Sequence, residues 1–242
     1  MSTVQIQARD RLILALDVPS VSEAQRLLSQ LEDGVRFVKI GLELYTAAGP
    51  EIVRRLTEQG KKVFLDLKFL DIEETVRRAT ARVAEMGVDF LTVHANRKAL
   101  RAAIQGRKES GNSNLKLLAV TVLTNFDAND LRDMGIQWNV ADLVAARAKL
   151  AAEAGLDGVV ASGEEPAAIR QKVGKDFLIV TPGIRPAGKG KNEHARVSTP
   201  AHAIKAGADY LVVGRPIRDA AEPRAAADAI VAEMQTAFDA RG

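Results

Sequence analysis

Eight short apolar runs, each followed by a stretch of helical periodicity, constrain the fold of this chain more than any other feature. The runs are "LILALD" (12–17), "FVKIG" (37–41), "VFLDLK" (63–68), "DFLTVH" (89–94), "LLAVTVL" (117–123), "DGVVAS" (157–162), "FLIVTPG" (177–183) and "DYLVVGR" (209–215). Between them lie amphipathic stretches such as "SEAQRLLSQL" and "DLVAARAKLAAEAG", and several of these end in the Gly that often follows a helix. Strands that alternate with helices pair in parallel through right-handed crossovers, and a count of eight favours a closed barrel.

The length of the chain fits one domain of this kind. A (β/α)8 barrel commonly takes about 250 residues, and no low-complexity linker divides the 242 residues. The first run is not followed by a Gly-rich dinucleotide fingerprint, which disfavours an open doubly wound sheet. The sequence therefore predicts an α/β fold, a single (β/α)8 TIM barrel over residues 1–242. The longest connection, about residues 124 to 156, is expected to hold an extra short helix.

Composition excludes several classes of protein. No apolar run approaches the roughly 20 residues that cross a bilayer, and the first residues do not resemble a signal peptide. The chain has no cysteine, so it has no disulfide, thiol nucleophile or thiolate metal site. The net charge of +3 is spread along the chain without a basic block, which argues against a nucleic-acid partner. We expect a cytoplasmic protein that binds neither membrane nor nucleic acid.

Polar side chains gather at one end of the predicted strands. A barrel binds its ligands at the carboxyl ends of the strands, so this is where a site is expected. The polar residues at those ends are Asp17, Lys39, Asp66, Lys68, His94, Thr121, Thr124, Ser162, Thr181 and Arg215. A single His without a second metal ligand in view is expected to be structural, and this applies to His94.

The stretch "VFLDLKFLDIEETV" (63–76) places charges where a buried strand would favour Leu or Val. Residues two apart on a strand face the same side, so Asp66 and Lys68 are expected to project together. Lys39 ends the neighbouring strand and Asp71 follows at the start of a helix. Because buried charges cost several kcal/mol unless they are paired, the sequence predicts an alternating array of these four. Ion-pair networks can be purely structural, but four alternating charges at the ligand-binding end favour a site.

At these residues the chain resembles a known family. The segment "DLKFLDIEET" (66–75) resembles the signature of orotidine 5′-phosphate decarboxylases, whose core is Asp-x-Lys-x-x-Asp-Ile-x-x-Thr. Five more segments fit that family in order, so the resemblance covers essentially the whole chain. They are "LALD" (14–17), "VKIGLELYTAAGP" (38–50), "VTVLTNFD" (120–127), "VTPGIRPAG" (180–188) and "DYLVVGRPI" (209–217).

The resemblance implies a reaction and its catalytic residues. The family converts orotidine 5′-phosphate to uridine 5′-phosphate and carbon dioxide, the last step of de novo pyrimidine synthesis, without metal or organic cofactor. By this resemblance Lys68 is the proton donor to carbon six of the pyrimidine, flanked by Asp66 and Asp71. It further implies a homodimer in which Asp71 and Thr75 enter the site of the neighbouring subunit.

The same resemblance distributes substrate contacts over the barrel mouth. Asp17 and Lys39 would hold the ribose hydroxyls, and Lys39 would complete the charge array. Thr124 would meet the edge of the pyrimidine. Ile72 and Leu123 would line the apolar pocket that receives carbon dioxide.

The phosphate end is expected at the last two strands. Gly214 and Arg215 end the eighth run, where barrels often bind phosphate through backbone N–H groups and an added cation. The loop of residues 181–200 is long and rich in Gly, Pro and Lys, so we expect a lid over the phosphate. Pro182 and Arg185 belong to the substrate-binding part of this loop, Arg185 as a framework residue. His194 stands where the family usually has a Gln that bridges phosphate and pyrimidine.

Two alternatives remain open at this point. Magnesium-dependent relatives share the barrel and the Asp-x-Lys-x-x-Asp core, among them 3-keto-gulonate-phosphate decarboxylase and hexulose-phosphate synthase. They carry a metal-binding Glu at the end of the second strand, where this chain has Lys39, and Glu43 is expected on the following loop. The other alternative is a catalytically silent phosphate-binding barrel, which has no need to retain the costly charge array.

Overall fold

Eight parallel strands close into a barrel in the order of the chain, with the last strand paired to the first. The computed structural model describes residues 7–186 and 198–241. The strands are β1 (Leu12–Ala15), β2 (Phe37–Ile40), β3 (Lys62–Phe69), β4 (Phe90–His94), β5 (Lys116–Val120), β6 (Gly158–Val160), β7 (Leu178–Thr181) and β8 (Tyr210–Val213). Every predicted run forms a strand, and the (β/α)8 barrel is confirmed.

Helices surround the barrel, and many begin at side chains that accept hydrogen bonds from their first turn. Ser20 accepts from the Glu23 backbone N–H, and Asp127 forms a capping box with Asp130. The helices are α1 (Val21–Leu31), α2 (Leu42–Ala48), α3 (Glu51–Glu58), α4 (Glu73–Glu85), α5 (Arg97–Ser110), α6 (Ala128–Asp133), α7 (Val140–Ala154), α8 (Pro166–Val173), α9 (Pro200–Ala206), α10 (Arg215–Arg218) and α11 (Pro223–Arg241). A 3₁₀ turn at Ala8–Arg11 precedes β1.

The connections agree with the sequence expectation in one detail and differ from it in two. The extra short helix before α7 is confirmed as α6. Glu43, however, lies in the first turn of α2 and not on a loop. Because Gly41 leaves β2 and caps α2 directly, no room remains for a loop between strand and helix. A short helix, α10, also stands between β8 and the long α11.

The interior of the barrel is divided into an apolar floor and a polar mouth. Phe37, Phe64 and Phe90 are buried inside the barrel, and Tyr210 packs against them. Ring centroids of Phe37 and Phe90 lie 4.9 Å apart, and those of Phe90 and Tyr210 5.1 Å apart, both edge to face. The Arg11 guanidinium lies 4.6 Å from the centre of the Tyr210 ring. We call these four rings the aromatic floor.

The polar mouth follows from the strand period. Lys39, Asp66 and Thr92 each come two residues after one of the floor phenylalanines, so they face the same interior one level higher. The residues between them, such as Val38, Leu65 and Leu91, point outward into the larger core between strands and helices. The alternation therefore places these three polar side chains directly above the aromatic floor.

Helices α4 and α5 pack closely behind β3 and β4. A Cβ added to Gly106 would lie 2.1 Å from the carbonyl oxygen of Arg77, so this contact admits only Gly. The close packing fixes α4, which begins just after the charged stretch of β3. In residues 7–186 and 198–241, no helix has the length and apolar character needed to cross a membrane.

Candidate active site

A cavity of about 620 Å³ opens at the carboxyl ends of the strands. Most of the residues predicted to form the site lie in its wall. They are Asp17, Lys39, Asp66, Lys68, Leu123, Thr124, Pro182, Arg185, Gly214 and Arg215. The size is within the range of small-molecule sites, and the location is the one at which barrels carry their chemistry.

The charged residues of the wall form a continuous chain of ion pairs. Lys39 Nζ donates to Asp17 Oδ1 at 2.9 Å and lies 3.6 Å from Asp66 Oδ2. On the other side of Asp66, Lys68 Nζ donates to Oδ1 at 3.0 Å. Lys39 is only 8% exposed, so its ammonium depends on these carboxylates for compensation. The charges alternate in the order Asp17, Lys39, Asp66, Lys68, and we call this row of ion pairs the charge array.

Asp66 stays ionised at the centre of this array. Burial by itself would raise the pKa of the Asp66 carboxyl, but the ammonium groups of Lys39 and Lys68 outweigh it. Hydrogen bonds from Lys68 and from the Thr92 hydroxyl act in the same direction. The net result is a pKa below the usual range for Asp, so a fixed negative charge holds the two ammonium groups in the mouth.

The backbone of β3 is irregular where it carries Lys68. Leu65 pairs with Leu91 on β4, but Phe69 pairs with Val93, so β3 contains a bulge between them. Lys68 has a φ of +53°, in the left-handed region that side-chain-bearing residues rarely adopt. Its backbone N–H donates to Thr92 Oγ1 at 2.9 Å. Bulges often re-aim a side chain next to an active site.

The expected side-by-side placement of Asp66 and Lys68 is therefore observed, but a regular strand is not its cause. Thr92 organises the bulge: its hydroxyl accepts from the Lys68 N–H and donates to Asp66 Oδ1 at 2.9 Å. Thr92 was missed in the sequence because it lies inside an apolar run. The available signal was its position two residues after Phe90, on the inward face of β4.

Three guanidinium groups line the cavity, those of Arg185, Arg215 and Arg218. Gly214 caps α10 at the end of β8, and Arg215 begins that helix. Arg185 lines the cavity from the loop after β7, and its backbone N–H donates to the Ser198 carbonyl at 2.9 Å. The third cation, Arg218, was not anticipated from the sequence.

Several predicted residues stand apart from this cavity. Asp71 and Ile72 are exposed at the start of α4, with Ile72 72% exposed, and Thr75 is exposed in the first turn of that helix. Asp71 accepts a hydrogen bond from the Ile72 N–H at 2.6 Å, and within the described ranges it forms no ion pair with Lys68. His194 and the central part of the expected lid, residues 187–197, lie outside the described residues.

The remaining polar residues at the strand ends support the walls. Thr121, Ser162 and Thr181 are fully buried beside the cavity, and the Thr121 hydroxyl donates to the Val160 carbonyl at 3.0 Å. His94 is half-buried at the end of β4 and does not line the cavity. Burial lowers the pKa of His94, and the nearby Arg147 and Lys68 lower it further against the opposing effect of Asp66. The lowered pKa favours the neutral imidazole, and a position outside the cavity wall agrees with the structural role that the sequence predicts for His94.

The arrangement defines a class of barrel enzyme. The ammonium of Lys39, between two carboxylates, and guanidinium groups of a kind that can bind phosphate line the same cavity. In the part of the chain that the structure describes, no three His, Asp or Glu side chains are grouped to hold a metal ion. The fold and the cavity are those of a TIM-barrel enzyme with a charged site of the size that binds small molecules.

Comparison with known proteins gives the family. The family model described as orotidine 5′-phosphate decarboxylase / HUMPS family matches residues 10–230. An orotidine 5′-phosphate decarboxylase from Nitrobacter winogradskyi is 51% identical over 231 residues, 96% of this chain and 95% of that protein. One from Bradyrhizobium diazoefficiens is 50% identical over 240 residues, 99% of this chain and all of that protein, a coverage of 100%. The chain belongs to this family.

A solved structure agrees in fold as well as in sequence. The crystal structure of orotidine 5′-phosphate decarboxylase from Lactobacillus acidophilus aligns with a TM-score of 0.83 and 39% identity. The alignment covers 93% of this chain and 99% of that one. The family resemblance seen in the sequence is confirmed over nearly the whole molecule.

Proposed function

We propose that this chain decarboxylates orotidine 5′-phosphate to uridine 5′-phosphate and carbon dioxide, with Lys68 as the proton donor and without a cofactor. Membership of the family and relatives of that name at about half identity support the reaction. The observation that carries the proposed mechanism is the ammonium of Lys68, held 3.0 Å from the buried Asp66 at the cavity wall.

The chemistry requires a fixed positive charge next to carbon six of the pyrimidine. When the bond to the carboxylate breaks, carbon dioxide leaves and its bonding electron pair remains on that ring carbon. A preorganised ammonium stabilises this charge better than water does, because it needs no reorganisation as the charge develops. Lys68 then transfers one proton to the carbon, which forms the C–H bond of the product and leaves a neutral amine. The amine regains its proton from solvent after product release.

The rest of the charge array serves to hold that ammonium in place. Asp66 is fixed by Lys39, Lys68 and Thr92, so its carboxylate restrains Lys68 on one side. Lys39 is held in turn by Asp17 at the rim. We assign the ribose hydroxyls of the substrate to Asp17 and Lys39.

The contacts at the other end of the substrate are assigned from the family resemblance, and the residues concerned line the cavity. We assign the phosphate to the backbone at Gly214 and to the guanidinium of Arg215, whose planar fork matches phosphate oxygens. Thr124 is assigned to the pyrimidine edge and Leu123 to the apolar contact with departing carbon dioxide. Since the phosphate of the substrate is remote from the reacting carbon, the binding energy of Gly214 and Arg215 can orient the ring against Lys68.

We further propose a homodimer that shares its sites. In the isolated chain Lys68 is paired with Asp66, while Asp71 and Thr75 are exposed near the exposed Ile72 and do not line the cavity. An isoleucine with 72% exposure is costly to leave in water. A twofold partner that covers this segment would receive Asp71, Ile72 and Thr75 at its own cavity.

The experiment follows the ultraviolet absorbance of orotidine 5′-phosphate after the purified protein is added, with and without prior treatment with EDTA. The proposal expects conversion to uridine 5′-phosphate in both cases. Loss of activity in EDTA with recovery in magnesium would instead support the metal-dependent branch of the family. Lys68→Ala is the control, with turnover expected to fall at least about 100-fold; a silent barrel would show no conversion even before substitution.

A further inference from the structure

Arg218 separates the active-site cavity from a second cavity. It is the last residue of α10 and lines both the catalytic cavity and an adjoining polar cleft of about 420 Å³. Asp17 lines both cavities as well. Arg218 and Asp17 therefore form the wall between the two spaces.

The guanidinium of Arg218 is held on two sides. Its Nη1 donates to the backbone carbonyl of Asp17 at 2.6 Å, a contact across 201 residues of chain. Its Nε donates to Asp219 Oδ1 at 2.6 Å and its Nη2 to Oδ2 at 3.1 Å, a bidentate pair. Such a fork fixes both the direction and the plane of the guanidinium.

Asp17 needs support of this kind. β1 ends at Ala15, so Asp17 lies beyond the last ladder pairing of its strand. Its side chain is 46% exposed, and within the described residues its carboxylate is ion-paired only with Lys39. The position of the carboxylate thus depends on the position of its own backbone, which Arg218 holds.

We propose that Arg218 is a positioning residue for the ribose end of the substrate, acting through Asp17. This inference rests on the proposed function, since the ribose hydroxyls are assigned to Asp17 and Lys39. In this role Arg218 acts on the ribose only through Asp17, whose backbone carbonyl accepts from its Nη1. Asp219 accepts hydrogen bonds from Nε and Nη2 of the Arg218 guanidinium, and this orients the Nη1 group that donates to the Asp17 carbonyl.

The alternative roles of Arg218 make different predictions. If Arg218 bound the phosphate, its removal would reduce the difference in affinity between a nucleotide and its nucleoside. A merely structural residue would lower the affinity for every ligand in proportion. A residue that positions Asp17 affects only the contribution of the ribose hydroxyls.

The test measures dissociation constants for uridine 5′-phosphate, its 2′,3′-dideoxy analogue and uridine. Binding of uridine 5′-phosphate by the wild type, with a preference over the dideoxy analogue, is the baseline; its absence would count against the proposed function instead. In Arg218→Ala we expect this preference to fall about tenfold, the scale of one hydrogen bond to a charged group. The preference for nucleotide over nucleoside is expected to stay within a factor of two or so.

Three further variants complete the test. Arg218→Gln keeps one donor toward the Asp17 carbonyl and should retain part of the preference, which also covers the case in which Arg218→Ala does not fold. Arg218→Ala added to Asp17→Ala should cause no further loss, because both act through one carboxylate. Arg26→Ala, which removes the other guanidinium of the adjoining cleft, is the matched control. An unchanged ribose preference in folded Arg218→Ala, or a selective loss of the phosphate contribution, would overturn the inference.

Discussion

At the scale of single residues, the backbone of Lys68 is the feature with the clearest energetic meaning. A side-chain-bearing residue in the left-handed region costs roughly 1–2 kcal/mol, and Lys68 has a φ of +53°. The hydrogen bond from its N–H to Thr92 and the ion pair to Asp66 oppose that cost. Strain at this position is therefore coupled to the placement of the ammonium.

Two substitutions of Lys68 separate the strain from the chemistry. Both Lys68→Ala and Lys68→Gly remove the ammonium, so both should lose turnover by at least about 100-fold. Only Gly adopts a positive φ without steric cost, so its free energy of unfolding should exceed that of the Ala variant by about 1 kcal/mol. Denaturant unfolding measures this difference, and equal stability of the two variants would contradict a strained Lys68.

Residue-scale details were only partly readable in the sequence. Lys39, Asp66 and Lys68 could be identified because charges inside apolar runs are costly unless they serve a site. The bulge at Lys68 could not, since "VFLDLKF" has the pattern of a regular strand and the irregularity arises from a contact with Thr92 on the next strand. Arg218 was missed for a similar reason, because its partner carbonyl is 201 residues away.

At the scale of elements, the junction of β2 and α2 is tied to the charge array. A Cβ at Gly41 would lie 3.1 Å from both Asp17 Oδ1 and Lys39 Nζ, closer than ordinary contacts. The strand thus passes to its helix through the one residue that leaves room for this ion pair. Strand order and helix positions followed from apolar periodicity, but a steric limit of this kind depends on neighbours that only the folded chain brings together.

Gly41→Ala should disturb the ribose end of the site. The added methyl group displaces Asp17 or Lys39 by a few tenths of an ångström, and we expect KM for orotidine 5′-phosphate to rise roughly tenfold, given how steeply catalysis depends on placement. In the Asp17→Ala background the methyl group meets no carboxylate, so the same substitution should cost much less. Steady-state kinetics of the four proteins give the answer, and additive losses would show that Gly41 acts elsewhere.

The end of β4 contributes a pH-dependent part of stability through His94. Its pKa is lowered in the folded state by burial and by Arg147 and Lys68. Its contribution is therefore fully present above the unfolded pKa of about 6.5 and is lost as pH falls through the interval down to the folded value, because the unfolded chain binds the extra proton. Asp66, also lowered, acts in a separate window below about pH 4, where its stabilisation is lost on acidification.

His94→Gln should flatten the pH dependence of unfolding just below neutrality. We expect the free energy of unfolding of the wild type to decline as pH is lowered from about 7 to 5.5, and that of the variant to decline less. His202→Gln on the exposed surface of α9 is the matched control. Identical slopes for wild type and His94→Gln would show that another group titrates in this interval.

At the scale of the whole molecule, the cavity of a single chain lacks some of the residues that were predicted for the site. Asp71 and Thr75 are exposed outside the cavity of their own chain. A sequence contains no direct signal for what a partner supplies, so their roles came from family resemblance alone. The proposed dimer makes a quantitative prediction that does not depend on knowing the interface.

Mixing two inactive variants tests the shared site. Lys68→Ala and Asp71→Asn are combined and their subunits allowed to exchange, after which each mixed dimer has one site with both lesions and one with neither. Random pairing makes half the dimers mixed, so about a quarter of all sites should recover activity under twofold symmetry. If both residues served a site within one chain, every site would keep a lesion, and exchange without recovery would rule out sharing.

The aromatic floor bears on how substrate enters the cavity and how products leave it. Phe37, Phe64 and Phe90 are buried and pack edge to face, so in the described part of the chain they fill the barrel below the cavity. We therefore expect the substrate and both products to pass through the mouth of the cavity, whose wall includes Asp17 and Arg215. A substitution that narrows the mouth is therefore expected to slow product release as well as substrate binding, whereas a substitution in the aromatic floor is expected to lower stability without changing access to the cavity.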